Sequence, residues 1–445
     1  MCETRPRTEP SGERPTRMRS LSRLGIFGYV VLAIPVTGTF AAISTLVPPF
    51  YAETLGVSLS SVGLIFFLLR FFDAVTDPAM GWLLDRRPFA REHKPWVAIS
   101  LPLFLVSIVL LFRPVEAWVG LSYLMVAGFL AYAAYTIGLV THQAWGAALA
   151  ADAGELSRLM GYREIAVIVG ILGVFAAPAI AESLGYVGLE AKVGAASGYL
   201  IACVLIFGPI TLLAAPDDRE ATAGSPISFG EVRSFLVRRD FLWLSTANFA
   251  TNFSTVSLSV ITYFIAAYLF DAPDRYGLGM TIYFVAAFLG MPVWMGLARR
   301  IGDARTLLGA FGYVGLGVAS IPFWTALAFE SRYLVFMALL GLGFGGPPYL
   351  IRSLIGQYAQ AHERDTGRSV RGSAYAVTTF FDKLGSGVAA GAVLPILEWL
   401  RFDPEGGGGE VGREALLLVA TTAPVFGFLV AVTATYLAAR NSESA

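Results

Sequence analysis

The chain is short of almost everything that soluble chemistry uses. Two cysteines occur in 445 residues, Cys2 in a polar stretch and Cys203 inside an apolar run, so neither a disulfide frame nor a zinc site is indicated. The histidines His93, His142 and His362 are scattered, with no HExxH spacing and no metal cluster. There is no GxSxG, no Walker loop and no GxGxxG opening a helix after a strand. Nothing would cradle a triphosphate, and an ATP-driven pump is unsupported. Charge is also scarce, at 14% of residues against about 25% in an ordinary globular chain. The 32 basic and 32 acidic residues cancel, so no surface seeks a polyanion and a nucleic-acid partner is excluded. Lysine is the scarcest of the charged residues Asp, Glu, Lys and Arg, present only at positions 94, 192 and 383.

What the chain does have is apolar length. Hydrophobic residues make up 56% and the mean hydropathy is +0.65. Apolar stretches of about twenty residues, enough to cross a bilayer core of about 30 Å, recur from Leu24 almost to the C-terminus. A soluble enzyme and a disordered chain are excluded; a polytopic protein with the lipid bilayer as its solvent is expected. Spans are predicted near 24–51, 58–84, 95–113, 117–150, 162–182 and 195–214, then near 241–270, 276–298, 305–327, 331–358, 372–400 and 412–438. The fold class is therefore an all-α membrane protein of twelve helices. The expected division is a disordered tail (1–22), a first six-helix bundle (23–214), a polar linker (215–240) with Gly224-Ser225-Pro226, a second bundle (241–440) and a short tail (441–445). Residues 1–22 do not read as a signal peptide, because the first apolar segment is long and lacks a clear cleavage site.

Positive charge is concentrated in alternate loops: Arg86, Arg87, Arg91 and Lys94; Arg158 and Arg163; Arg219, Arg233, Arg238 and Arg239; Arg299, Arg300 and Arg305; Arg364, Arg368 and Arg371. The positive-inside rule then places both termini in the cytoplasm of a protein in the cell membrane. A faint internal repeat joins the halves. Span 2 ends Asp77-Pro78-Ala79-Met80-Gly81-Trp82-Leu83-Leu84-Asp85-Arg86-Arg87, and span 8 ends Met291-Pro292-Val293-Trp294-Met295-Gly296-Leu297-Ala298-Arg299-Arg300. Duplicated six-helix halves around a central cavity describe a secondary transporter of the major-facilitator type. The second copy lacks carboxylates before its proline.

The strongest chemical signal is Arg70-Phe71-Phe72-Asp73-Ala74-Val75-Thr76-Asp77-Pro78. Asp73 and Asp77 share a helix face, with Arg70 one turn before. Asp77 precedes Asp85 by eight residues, about 12 Å of helix, so both acids sit deep in the span. Each costs roughly 2.5–3.5 kcal/mol to insert, and such groups mark ion or proton pathways. Pro78 cannot donate to the carbonyl of Ala74; with two carboxylates and the Thr76 hydroxyl, that oxygen suits a small cation. The plainer reading is that Arg70 neutralises one acid and the trio is structural, but a second carboxylate is then left for a mobile cation to balance. Lys383, in span 11, is the other buried charge and can pair with Asp73 and Asp77 when the cation is absent. Asp382 beside it either satisfies Lys383 or faces another helix. Retinal on Lys383 does not fit twelve spans.

Other polar residues carry weaker signals. Span 4 holds Tyr135, Thr136, Thr141, His142, Gln143 and Trp145, read either as packing around a satisfied core histidine or as cavity lining. Arg163 and Glu164 either pair at the interface or serve the cavity. Asn248 and Asn252 share a face of span 7 and either line the cavity or bond between helices. Arg352 in span 10 has snorkelling as its plain reading.

Three motifs carry a family likeness: Arg70 through Trp82; Glu363-Arg-Asp-Thr366-Gly367-Arg368 with Arg371-Gly372; and Tyr375 through Lys383-Leu-Gly385. Together they resemble the glycoside–pentoside–hexuronide:cation symporters, the melibiose-carrier family, and their animal relatives that carry lysolipids. By that resemblance Asp73, Asp77, Thr76 and Thr136 bind the coupling cation, sodium if the ion is a metal. Lys383 lies near the acids, with Arg70 and Lys383 as charge partners. Thr379 matches a cavity-facing position and Arg163 an arginine that contacts sugar hydroxyls. The aspartates that hold sugar in such carriers align with Thr37 and Leu139, and a stacking tryptophan with Gln143. The cation machinery is present; the sugar machinery is altered.

The expected function is cation-coupled symport, by Na+ or H+, of a small organic solute by alternating access. A glycoside or hexuronide-like cargo is expected first and a lysolipid or other amphiphile second. Thr37, His142, Gln143, Trp145, Arg163, Asn248, Asn252 and Thr379 are the candidate cargo residues. A non-transporting sensor or assembly protein on the same fold is the rival; an enzyme is not expected. No cofactor is expected beyond the coupling ion, and the expected state is a monomer.

Overall fold

The computed structural model describes residues 21–57, 59–86, 93–186, 188–216, 229–402 and 409–443. Residues 1–20 of the expected tail, Arg87, Arg91, Arg219 and Gly224-Ser225-Pro226 lie outside the described residues, as do the side chains of Arg70 and Arg86.

Among the described residues twelve long helices follow one another: α1 (Arg23–Thr45), α2 (Leu59–Arg86), α3 (Lys94–Phe112), α4 (Leu121–Leu149), α5 (Ala153–Ser183), α6 (Leu189–Ala214), α7 (Arg239–Leu269), α8 (Tyr276–Ile301), α9 (Asp303–Ala326), α10 (Arg332–Thr366), α11 (Arg371–Trp399) and α12 (Gly409–Glu443). Among the described residues, 11 helices are long and apolar enough to cross a membrane. The helix outside that set is α2, which carries Arg70, Asp73, Asp77, Asp85 and Arg86 over 28 residues. That is about 42 Å of helix, enough to span a bilayer.

Two helix ends differ from the hydropathy reading for a local reason. α5 starts nine residues early because Asp152 and Glu155 cap it. Asp152 Oδ1 accepts from the Glu155 N–H at 2.8 Å, and Glu155 Oε2 accepts from the Ala151 N–H at 2.8 Å. Such a reciprocal cap is worth about 1 kcal/mol, and hydropathy does not register it. α10 runs on to Thr366 and stops at Gly367, whose positive φ of 69° lets its N–H reach the Glu363 carbonyl. The linker is not wholly irregular either: Phe229–Leu236 form a short helix, and Phe235 packs on Phe241 with ring centroids 4.9 Å apart.

The repeat seen in the sequence has a backbone counterpart. α1 and α7 each finish in a π-helical turn, Phe50–Thr54 after the first and Ile265–Leu269 at the end of the second. The bonds match: Leu55 N–H to Phe50 O and Val57 N–H to Tyr51 O in one half, Phe270 N–H to Ile265 O and Ala272 N–H to Ala266 O in the other. A π turn tied to one place in each half is a shared feature of two copies of one unit.

One apolar core is built from α1–α6 alone, with Tyr29, Leu32, Val36, Phe104, Trp145 and Leu200 in it. The other is built from α7–α12 and takes in Met80, Leu84, Ala144, Leu156 and Met160 from the first half. Those borrowed residues lie toward the end of the bundle where α1 begins and α12 finishes, here called the terminal face. At this face the halves are tied by polar bonds. Asp85 Oδ1 and Oδ2 accept from Gly372 and Ser373 N–H at 2.8 and 2.7 Å, so α2 caps the start of α11. Asp303 at the start of α9 accepts from Ser157 of α5 at 2.6 Å, and from Ser353 and Gln357 of α10 at 2.5 and 2.7 Å. Gln360 Nε2 donates to the carbonyls of Ala147 and Ala150. Gly81 is required here: a Cβ on it would stand 2.5 Å from the Gly372 carbonyl oxygen. Leu64, Phe71, Val75, Leu205, Val293, Leu316 and Phe426 are exposed on the outside of the bundle, as a lipid solvent demands.

Candidate functional site

α2 is two-faced with helical period. Leu64, Leu68, Phe71 and Val75 are exposed, while Leu69, Asp73, Asp77, Met80 and Leu84 form the buried stripe. Two places that periodicity would fill with leucine thus hold carboxylates. Both aspartates are 0% exposed. Pro78 sits inside the helix without ending it.

Two helices bring partners to these acids. Thr136 of α4 places its hydroxyl 3.0 Å from Oδ1 of Asp73 and 3.0 Å from Oδ1 of Asp77. Lys383 of α11 places Nζ 2.6 Å from Oδ2 of Asp73 and 2.5 Å from Oδ2 of Asp77. Two carboxylates against one ammonium leave a net charge of −1 on this trio. The ammonium comes from one half of the molecule and the acids from the other. Its removal would leave Asp73, Asp77 and Thr136 as a convergent set of hard oxygens. Among the described residues no group of three or more His, Cys, Asp or Glu is placed to hold a metal.

Thr76 does not join them here. Its hydroxyl is turned to its own helix, donating to the Asp73 carbonyl at 3.3 Å. Arg70 lies on α2 one residue after Leu69; its side chain is outside the described residues.

A separate cavity of about 390 Å³ opens among α7–α12, with Gln143 of α4 and Glu164 of α5 at its edge. One end is polar: Glu164, Asn248, Asn252, Arg352, Thr378 and Asp382. The remainder, running toward Ile265, Met280, Ile321 and Tyr333 at the face opposite the terminal one, is mainly apolar and aromatic, with the hydroxyl residues Thr251, Thr255, Ser259 and Thr262 of α7 along one side. Its size is that of an ordinary small-molecule site. Asp73, Asp77 and Lys383 are not in its lining. α11 links the two regions: Lys383 turns to α2, while the preceding Asp382 turns to α7, where Asn252 Nδ2 donates to its Oδ1 at 2.7 Å. A Cβ on Gly385 would stand 2.4 Å from the Phe249 carbonyl oxygen, so glycine permits this close α7–α11 approach.

The candidate cargo residues divide. Gln143, Asn248 and Asn252 line the cavity. Asn248 Nδ2 also donates to the Thr378 carbonyl at 3.0 Å, so both earlier readings of it hold at once. His142 and Trp145 are core residues. The His142 Nε2 lies 2.8 Å from the Tyr29 carbonyl, the Tyr29 hydroxyl donates to the His142 carbonyl at 2.9 Å, and Trp145 packs edge-on to Tyr29. Thr37 donates to the Ala33 carbonyl and Thr379 to the Tyr375 carbonyl, and neither is in the cavity lining. Leu139, which aligns with an expected acid, is buried. Arg163 is 1% exposed and stands 3.8 Å from Glu164, behind the cavity wall.

Two charged residues matter more than their plain readings allowed. Arg352 does not snorkel; its Nη1 is 3.1 Å from Glu164 Oε2, an ion pair across the two halves. Asp382 faces the cavity, not Lys383. The signal that could have found them was charge within apolar spans, the same signal that marked Asp73 and Asp77.

Comparison with known proteins agrees with this architecture. The family described as MFS/sugar transport protein matches residues 27–439. The chain is 25% identical over 449 residues to the uncharacterized symporter YnaJ of Bacillus subtilis, covering 93% of this chain and 91% of that protein. It is 29% identical over 169 residues to the putative glycoside/cation symporter YagG of Escherichia coli, covering 36% of each. It is 20% identical over 460 residues to the sodium-dependent lysophosphatidylcholine symporter 1 of Mus musculus, covering 93% of this chain and 85% of that protein. Among solved structures, a bacterial homologue of the iron transporter ferroportin in its outward-facing state superposes with a TM-score of 0.68 at 12% identity, covering 93% of this chain and 100% of that one. The major facilitator transporter FucP, in the outward conformation, gives 0.66 at 16%, covering 93% and 97%.

Proposed function

Because the chain belongs to the MFS/sugar transport protein family, a family of membrane transporters and not of enzymes, we propose that it is a cation-coupled symporter of a small organic solute. The observation that carries the proposal is the seam between the halves. Two fully buried carboxylates of α2 face a single lysine of α11. Burying such charges is costly, and a mobile cation that exchanges with Lys383 gives them a use.

In this reading Na+ or H+ enters at Asp73 and Asp77, with Thr136 completing the oxygen set and Thr76 turning in when Lys383 leaves. The ion releases Lys383, and α11 carries that release to Asp382 and the cavity, where Gln143, Asn248, Asn252 and Arg352 meet the cargo. The halves, residues 23–214 and 241–440, then rock about the 215–240 linker. The terminal face is cytoplasmic by the positive-inside rule, so the present conformation is closed inward by Asp85, Asp303 and Gln360. Ion and cargo must strengthen each other's binding equally, because coupling is reciprocal. A glycoside or hexuronide-like cargo is supported by the family description. An amphiphile is the second reading, favoured by the aromatic and aliphatic walls beyond the polar end of the cavity.

The test is uptake into proteoliposomes of labelled glycosides, uronates and lysolipids under imposed sodium or proton gradients. Accumulation above equilibrium that disappears in Asp77→Asn supports the proposal. Absence of any flux in the wild-type protein would favour a non-transporting membrane protein on the same fold.

A further inference from the structure

We infer that the cavity takes an organic cation with an apolar body, its positive group seated on Asp382. The inference rests on reading this cavity as the cargo site and narrows the class of cargo that site accepts.

Three charged side chains line the cavity: Glu164, Arg352 and Asp382. Arg352 is committed to Glu164 at 3.1 Å. Arg163 stands 3.8 Å from the same carboxylate and is not part of the lining. Asp382 has a neutral partner instead, the Asn252 amide at 2.7 Å. Among the described residues no cationic group lies within ion-pair distance of it. Its sequence neighbour Lys383 is spent on Asp73 and Asp77 from the other side of α11. The three lining charges sum to −1: Arg352 and Arg163 share Glu164, Arg352 acts on Asp382 only from beyond ion-pair distance, and the carboxylate of the lining without an ion-pair contact is Asp382.

A carboxylate in a low-dielectric site without a cationic partner is unfavourable unless something brings one. A ligand ammonium supplies it. The Tyr283, Phe284, Tyr333, Phe336 and Phe428 walls cover an apolar body and offer ring faces that attract a cation on its way in. Of the cargoes proposed above, a uronate would meet Asp382 with like charge and a neutral glycoside would leave it without an ion pair, so this inference falls under the amphiphile reading.

The experiment uses the full chain in lipid nanodiscs, with empty nanodiscs as the partition control. Octyltrimethylammonium, octanesulfonate and octyl glucoside share a tail and differ in head charge. The inference predicts that octyltrimethylammonium binds at least tenfold more tightly than either of the others. Asp382→Asn should bring it within twofold of octyl glucoside, and Asp382→Glu should keep the preference. Equal binding of the three, tighter binding of the sulfonate or the glucoside, or a cation preference that survives Asp382→Asn overturns it. The ion-dependent thermal shift of the wild-type protein is read in the same preparation. Its absence counts against coupling at Asp73 and Asp77, whereas the ranking of the three probes bears on Asp382.

Discussion

Lys383 Nζ lies 2.5 Å from Asp77 Oδ2, joining α11 of one half to α2 of the other at a point where the carboxylate is wholly buried. Removing the lysine leaves two buried acids facing each other with only a hydroxyl between them. Breaking a buried pair in this way costs about 3–5 kcal/mol. Lys383→Met should lower the thermal unfolding midpoint by several degrees, and adding Asp77→Asn should recover much of the loss. A single variant as stable as wild type would show that the pair contributes nothing.

Thr136 donates to one acid at a time yet lies 3.0 Å from both. Thr136→Val keeps the shape and removes the oxygen. The expected result is an ion affinity about tenfold weaker, the equivalent of one lost hydrogen bond of about 1.4 kcal/mol, read from the ion dependence of thermal unfolding. Folding itself should survive, since the valine fills the same space.

How far this site was legible depended on the signal each residue carried. Asp73, Asp77 and Lys383 stand out because charge in an apolar helix has few innocent explanations. Helix spacing alone puts the two acids on one face. Asp382 was visible as a charge, but adjacent residues point about 100° apart on a helix, and only packing against α7 decides which way it turns. Glu164 and Arg352 sit 188 positions apart, and nothing local reveals that they meet. His142 and Trp145 had two readings, cavity lining or core, and only the packing of Tyr29, on another helix, separates them: Tyr29 bonds to His142 and packs edge-on against Trp145. The helices themselves were plain, but several ends were not: α5 and α6 start before the expected positions 162 and 195, and α10 and α12 run past 358 and 438. At α5 a polar cap and at α10 a terminating glycine set the end beyond the apolar run.

His142 offers a test of that placement. It is tied to Tyr29 through two bonds that join α1 to α4. His142→Leu should lower stability by about 1–3 kcal/mol, the penalty for an unmade buried bond. The KM for a transported cargo should stay within twofold of wild type. A large KM change with unaltered stability would return His142 to the cavity.

At the terminal face, Asp85 satisfies two N–H groups at the start of α11. Asp85→Ala should weaken closure there by about 1–2 kcal/mol. In a background of Cys2→Ser and Cys203→Ser, a cysteine placed at Gln357 should then react several-fold faster with a membrane-impermeant thiol reagent applied to the terminal face. An unchanged rate would mean that the cap does not hold the seam.

The most direct test of the central claim is the thermal unfolding midpoint of the purified protein, measured against sodium at constant ionic strength and against pH. An ion that binds only the folded state adds about 2.7 kcal/mol at a hundred times its dissociation constant. The account predicts that the midpoint rises with sodium or with proton concentration in the wild-type protein and that Asp77→Asn abolishes the rise. A wild-type midpoint indifferent to both ions, or an Asp77→Asn variant that responds as the wild type does, would contradict it.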